Sequence, residues 1–256
     1  MQLTEREKKI YNLIKKEKFI SNQSLRKVLF ISESTLRRDL IKLENKGIIN
    51  RVHGGAVLAE SSSIESSFQI RISQMMTEKN NISLKALDFI SNNESYFFDP
   101  STTVSYLTPH LDNFKNITVI TNGILTANLL SKNANPNIIL LGGKLSKNVS
   151  SLLGSTVIKQ IEEYNCNAFF FSCGGISDNG LITEANYEQS VVKQAMLKNS
   201  KVHILLADST KFGKVNLVNY CTLEELDYII TEKLPNKHFL ELLNKYKVNL
   251  IIANNF

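Results

Sequence analysis

The sequence predicts a mixed α/β protein in two parts, an N-terminal winged helix-turn-helix and a larger α/β domain on a largely parallel sheet. Three observations carry that prediction. Three helix patterns followed by a Gly-Gly hairpin fill the first 57 residues. Beyond about residue 95, apolar strand-like runs alternate with helical ones, the order that builds a parallel sheet. The charge is lopsided: residues 1–56 hold 13 of the 30 Lys+Arg and 6 of the 24 Asp+Glu, a local +7, while the other 200 residues carry 17 against 18, or −1. A basic module on a neutral body is the electrostatic footprint of nucleic-acid binding. Charge alone is also explained by a solvated basic helix.

Composition excludes several classes. At 256 residues and 43% hydrophobic, the chain has apolar material for a real core in one large domain or two ordinary ones. No apolar run approaches the roughly 18–20 residues of a membrane span. The start, MQLTEREKKI, is charged and lacks a signal-peptide core. Cys166, Cys173 and Cys221 are widely spaced, outside any CxxC, so neither a zinc site nor a disulfide framework is expected. A reducing cytoplasm is the expected compartment.

The N-terminal elements follow in order. Thr4 and Glu7 form a capping-box pattern ahead of a helix over 4–18, with Ile10, Leu13 and Ile14 at helical spacing. Ser21 caps a short second helix carrying Leu25, Val28 and Leu29, and Phe30-Ile31 makes the turn. Ser32 caps a third helix, ESTLRRDLIKLENK, which ends at Gly47. IINRVHGGAV then reads as two short strands about a Gly-Gly turn. On a helical wheel, Leu36, Leu40 and Leu43 share the core face of the third helix, while Ser34, Arg38 and Lys42 lie opposite, flanked by Thr35 and Arg37. Small hydroxyls, then arginines, then a lysine suit a helix entering the major groove N-terminus first. Hydroxyls and guanidinium groups reach base edges there, and Lys neutralises phosphate. This gives a DNA-binding domain over 1–57.

LAESSSIESS reads as linker within 58–75. The α/β domain is expected over 76–256, after a helical stretch at about 68–91. SYFFDP, ITVITNG, NIILLGG, NAFFFSCGG and KVHILLAD are strands; STTVSYLTPHL, ILTANLLSK, SSLLGSTVIKQIEEY and ANYEQSVVKQAMLKN are helices; LDYIITE and VNLIIAN are further strands. Ligands of such sheets bind at the C-terminal strand ends. The loops there are Asp99-Pro100-Ser101-Thr102-Thr103, Thr121-Asn122-Gly123, Gly142-Gly143-Lys144, Cys173-Gly174-Gly175 and Asp208-Ser209-Thr210-Lys211. Their Gly, Ser, Thr, Asn and Lys side chains suit an anion held by hydroxyls and close backbone N–H groups. Each loop alone is ordinary turn chemistry; together they indicate one polar site.

No catalytic residue, metal or other cofactor is expected. None of the four histidines lies in these loops, and there is no nucleophile elbow or metal set. Asp99, Asp208, Lys211 and Glu188 are able to do acid–base work, but the sequence does not assemble a carboxylate–lysine set around a pocket. Cys173 is expected to be a small buried hydrophobe.

The stretch SLRKVLFISESTLRRDLIKLENKGIINRVHGGA resembles the DeoR family of bacterial transcription regulators. So do FFDPSTT, VITNG, LLGGKL, FFSCGGISDNGL and ADSTKFGK, which follow in family order, so the resemblance covers almost the whole chain. It implies a C-terminal domain of the sugar-phosphate isomerase and CoA-transferase-like fold, used as a sensor rather than an enzyme. It also implies a repressor of a carbohydrate-utilisation operon, binding double-stranded operator DNA as a homodimer or homotetramer and controlled by a phosphorylated sugar. Carried over by residue, Ser34, Thr35, Arg37 and Arg38 meet DNA, with Arg51 and His53 of the wing on the backbone or in the minor groove; Lys42 joins them from the wheel. Asp99, Ser101, Thr102, Thr103, Asn122, Gly143, Lys144, Asp208 and Lys211 form the effector pocket. Ser101 stands where many relatives have Gly, and Asn167 where Asp is common.

Overall fold

The computed structural model describes residues 4–17, 19–45, 48–52, 54–58, 71–72, 74–146 and 150–253. Two compact units emerge. Among the described residues, one holds 4–58 with Arg71, Ile72 and Gln74, and the other runs from Met75 onward.

The N-terminal unit contains α1 (Glu5–Glu17), β1 (Phe19–Ser21), α2 (Asn22–Leu29), α3 (Glu33–Asn45), β2 (Ile49–Val52) and β3 (Gly55–Leu58). Thr4 and Glu7 make the expected reciprocal cap, Thr4 N–H donating to Glu7 Oε2 at 2.9 Å and Glu7 N–H to Thr4 Oγ1 at 3.2 Å. Ser21 Oγ accepts from Ser24 N–H at 3.0 Å, and Phe30 ends α2 in the left-handed region at φ 53°. Ile10, Ile14, Leu25, Leu36, Leu40, Leu43 and Ile49 close one core. The sequence reading lacked β1, which joins the wing as a third, antiparallel strand in the order β1-β3-β2. Gly55 permits that join: a Cβ there would stand 2.4 Å from the Ile20 carbonyl oxygen. Lys46, Gly47 and His53 lie outside the described residues, as does 59–70 of the expected linker.

The second unit is a seven-stranded, all-parallel sheet in the order β15-β14-β12-β9-β4-β5-β6. Its strands are β4 (Ser95–Phe98), β5 (Thr118–Thr121), β6 (Asn137–Leu140), β9 (Cys166–Phe171), β12 (Ser200–Leu206), β14 (Tyr228–Thr231) and β15 (Asn249–Ile252). The chain starts at β4, winds outward to β6, then returns to β4's other side as β9. The β4–β9 gap is therefore the switch point of the winding. Period-two alternation sorts the aromatic side chains. Phe97, Phe169 and Phe171 pack on one face with α7 (Ser155–Ile161), α8 (Tyr187–Lys198) and α9 (Lys237–Tyr246). Tyr96, Phe98 and Phe170 pack on the other with α4 (Met76–Ala86), α5 (Thr102–Ser105) and α6 (Ile124–Leu130). Each fully buried Phe contributes about 2–3 kcal/mol.

Several expected elements differ. The helix expected from Ser150 to Tyr164 is a strand, β8 (Ser151–Leu153), then α7; Gly154 separates them at φ 103°, a conformation L side chains rarely adopt. β8 pairs antiparallel with β7 (Lys144–Ser146), so Lys144 opens a strand rather than closing a loop. The helix expected from Ser101 to Leu111 is one turn, α5, then a 3₁₀ segment from Thr108 whose Pro109 lacks an N–H. The 68–91 helix is described only as Arg71-Ile72 and α4, followed by a 3₁₀ turn at Leu87–Phe89. A further antiparallel sheet, β10 (Gly175–Ile176), β11 (Leu181–Glu184) and β13 (Val218–Thr222), was not anticipated.

Candidate DNA interface and candidate effector site

On α3, Leu36, Leu40 and Leu43 are at most 3% exposed, while Ser34, Arg37, Arg38 and Lys42 are exposed. Thr35 is half-buried, its hydroxyl 2.9 Å from Ser32 Oγ. Arg38 Nε donates to the Ser34 carbonyl at 3.4 Å. This is a free basic face with a hydroxyl-rich N-terminal end. Arg51 on β2 sits differently: its Nε lies 3.4 Å from Glu44 Oε2, and its N–H donates to Glu44 Oε1. Reaching a phosphate requires Arg51 to exchange that carboxylate. Asp39, on the same helix as the arginines, is buried and bound by Arg6. The wheel placed the leucines and basic residues but left this acid unassigned.

In the second unit the nine expected pocket residues follow the C-terminal ends of four strands, β12, β4, β5 and β6, in a row that spans five neighbouring strands with β9 between β12 and β4. Four strand spacings of about 4.8 Å make this row roughly 19 Å long. The switch point is near its middle, and Asp99 stands there, fully buried. Its Oδ1 accepts from Ser101 N–H at 2.9 Å and its Oδ2 from Ser172 N–H at 3.0 Å, tying β4 to β9. Ser101 has φ −73°, open to any residue, so nothing in its backbone demands glycine; its hydroxyl caps α5 by accepting from Val104 N–H. Thr102 and Thr103 are buried at the helix start. Asn122 donates from Nδ2 to the Leu152 carbonyl, while its Oδ1 has no partner. Thr126 Oγ1 and Ser151 Oγ, near the same strand end, are likewise buried and unpartnered. Buried polar atoms normally find partners, so this corner holds unused hydrogen-bonding capacity. Asp208 accepts from Thr210 N–H at 3.1 Å and from the Thr210 hydroxyl. Lys211 is half-buried beside it.

Two expected residues play other parts. Gly143 is a packing position: a Cβ there would lie 2.5 Å from Val157 Cγ2 and 2.8 Å from the Leu153 carbonyl oxygen. Lys144 points outward, 3.8 Å from Glu188 Oε1 at the start of α8. Asn167, where Asp is common, accepts at Oδ1 from Ser95 N–H and Ser95 Oγ–H, a role either residue fills.

The structure also assembles the carboxylate–lysine set that the sequence reading did not. Lys193 of α8 lies 3.1 Å from Asp99 Oδ2 and 2.5 Å from Glu184 Oε1, and donates to the Ser172 carbonyl at 2.6 Å. Burial works to lower the Lys193 pKa; the charges of Glu184 and then Asp99 outweigh it, so the amine is held above the usual lysine range. The signal was present as a lysine inside the apolar stripe of Val192, Ala195 and Met196. His203 bonds to backbone carbonyls at both ring nitrogens, and His238 to the Asp178 carbonyl, both structural roles. All three cysteines are free and buried. Among the described residues no cluster of three metal-ligating side chains occurs, and no helix is long and apolar enough to cross a membrane.

An exposed basic recognition helix and an α/β unit with a polar switch point are thus joined in one chain. That pairing is also what family comparison finds. Residues 6–62 match the DeoR-like helix-turn-helix domain, and residues 74–233 match the DeoR C terminal sensor domain. The chain belongs to the DeoR family of transcription regulators. It is 37% identical to the HTH-type transcriptional repressor GlcR of Bacillus subtilis, over 95% of this chain and 94% of the relative. It is 29% identical to the glycerol-3-phosphate regulon repressor of Escherichia coli, over 98% of this chain and 99% of the relative. Among solved structures, ribose 5 phosphate isomerase A from Neisseria gonorrhoeae aligns over 52% of each chain with 12% identity and a TM-score of 0.39. As a DeoR-family member the chain is a DNA-binding regulator and not an enzyme, so its Asp99–Glu184–Lys193 set serves something other than turnover.

Proposed function

We propose that this DeoR-family regulator represses a carbohydrate-utilisation operon and is released from its operator by a phosphorylated sugar. The observation that carries the reading is the unused hydrogen-bonding capacity at Asn122, Thr126 and Ser151, beside the switch point of a unit fused to a free basic recognition helix. GlcR and the glycerol-3-phosphate regulon repressor are both repressors, and the second is named for a phosphorylated polyol, which supports this reading. DNA is contacted by Ser34, Thr35, Arg37, Arg38 and Lys42, with Arg51 and His53 on the backbone or in the minor groove. The effector lies along Asp99, Ser101, Thr102, Thr103, Asn122 and Asp208, with Lys211 or Lys144 against its phosphate, at one end of the row. Gly143 shapes the loop rather than touching the ligand.

The working form is a homodimer or homotetramer through residues 76–256, carrying two 1–57 domains on a repeated operator through the 58–75 linker. The effector favours domain arrangements that do not fit the operator, and its hold on DNA falls by the ratio of its affinities for the two arrangements. A mobility-shift titration on the upstream region of the chain's own operon tests this, repeated with a panel of sugar phosphates. Release by one sugar phosphate is expected. A shift that no sugar phosphate alters overturns effector control and leaves DNA binding standing.

A further inference from the structure

The floor of the switch point carries a net negative charge that no ligand group is needed to explain. An ammonium has three hydrogens, and Lys193 faces three acceptors: Asp99 Oδ2, Glu184 Oε1 and the Ser172 carbonyl. The Tyr220 ring covers it, 5.5 Å from Nζ. Lys193 therefore has nothing left to offer an anion. Two carboxylates against one ammonium leave the trio at −1, on side chains no more than 6% exposed. A buried charge keeps its field, because neither water nor salt screens it well. One strand over, Asp208 is buried too and already accepts from Thr210, while Lys211 is half-buried. On the other side of β4, the orphaned Oδ1 of Asn122 is an acceptor that requires a donor. The floor is thus rich in acceptors and short of positive charge.

We propose that this floor selects the uncharged, hydroxyl-bearing end of the effector and rejects any ligand that places a second anionic group there. Alditol, aldose and ketose monophosphates are admitted. Aldonate phosphates are refused. Hydroxyl groups donate to Asn122 Oδ1, while a carboxylate or phosphate there meets the like charge of a trio whose one ammonium is already filled. Glu184 and Lys193 are then specificity-determining residues of a site to which the sequence assigned neither. The inference rests on the reading that a sugar phosphate occupies this row.

Calorimetric titration of the full chain with three pairs, each an uncharged end against the corresponding acid, tests it: glycerol 3-phosphate with 3-phosphoglycerate, ribose 5-phosphate with 5-phosphoribonate, and glucose 6-phosphate with 6-phosphogluconate. Within the pair that fits the pocket, the acid is expected to bind at least about tenfold more weakly, the penalty of one close like charge. Glu184→Gln keeps the shape and removes the charge, so it should bring that ratio toward one. Asp208→Asn lowers the charge of the same floor and should move the ratio the same way if Glu184→Gln does not fold. Equal binding of the acid and its uncharged partner overturns the selection, as does a ratio unmoved in the folded variants. Binding by no member of any pair overturns the sugar-phosphate reading itself, and the selection with it.

Discussion

Arg6 on α1 grips Asp39 on α3 through two hydrogen bonds, Nε to Oδ2 at 2.5 Å and Nη2 to Oδ1 at 3.0 Å. Asp39 is buried on the helix that presents Arg37 and Arg38, whereas the Arg6 side chain is about half exposed. The two halves of this pair are therefore unequal. Arg6→Met strands a carboxylate in the core, and Asp39→Asn strands a guanidinium that water reaches. Arg6→Met is expected to lower the melting temperature of the N-terminal unit by about 5 °C or more, and Asp39→Asn by less. Calorimetry of the two variants decides it; equal losses would mean that the pair does not set the helix's seat.

Arg38 and Lys42 occupy one exposed stripe but should fail differently. Arg38→Ala is expected to cost roughly 1–3 kcal/mol on the operator and far less on random DNA, as loss of a base contact does. Lys42→Ala should weaken both DNAs alike and reduce the slope of log K against log salt by about 0.9, one phosphate's share. Fluorescence anisotropy across a salt series separates the two, and parallel behaviour of both variants would remove Arg38 from the base-reading set.

The buried thiols give the second unit an alkaline limit. Burial pushes Cys166 and Cys173 up to about 12 and raises Cys221 as well, against an ordinary value of 9.0. A thiol whose pKa is raised by folding supports the fold below the unfolded value, and that support is lost as pH rises through the window to the folded value. The urea midpoint of this unit should be flat near neutrality and fall as pH climbs from about 9 towards 12. Thiol reagents should modify the native protein slowly at neutral pH and the unfolded chain at once. Rapid native labelling of any of the three would contradict their burial.

Gly142 and Gly143 are adjacent but not equivalent. A Cβ on Gly142 has its nearest neighbour, Gln160, at 3.6 Å, an ordinary contact, while one on Gly143 strikes Val157 and the Leu153 backbone. Gly142→Ala should change stability by less than about 0.5 kcal/mol. Gly143→Ala should cost about 1–3 kcal/mol by overpacking. Denaturant titrations of both test whether this loop is held by packing.

Much of this fold was legible because its long-period patterns are strong. Leucines at helical spacing marked the recognition helix, and Phe-rich runs marked the central strands. What escaped was short or nonlocal. β1, β7, β8, β10 and β11 have two to four residues each, too few to show alternation. Gly154, which turns an apparent helix into strand and helix, has the same spelling as a glycine in any loop. In the candidate site, Asp99 and Asp208 were readable as strand-end residues. Lys193 and Glu184 were not, because their partners come from another strand and another helix, and only folding brings three charges to one point. The same limit applies to Asp39, whose cation lies 33 positions earlier.

The winding of the sheet sets an order of events for a growing chain. Asp99 and Ser172 bond across the switch point 73 positions apart, and Lys193 comes 21 positions after Ser172. A ribosome therefore releases β4, β5 and β6 well before the lysine that neutralises Asp99 exists. Until α8 emerges, the nascent half-sheet carries an acid with no ammonium beside it and one open edge where β9 will dock. Such long-range closure is slow and comes late in folding. The ion trio can form only once synthesis has passed α8, so no shorter fragment of the second unit can possess it.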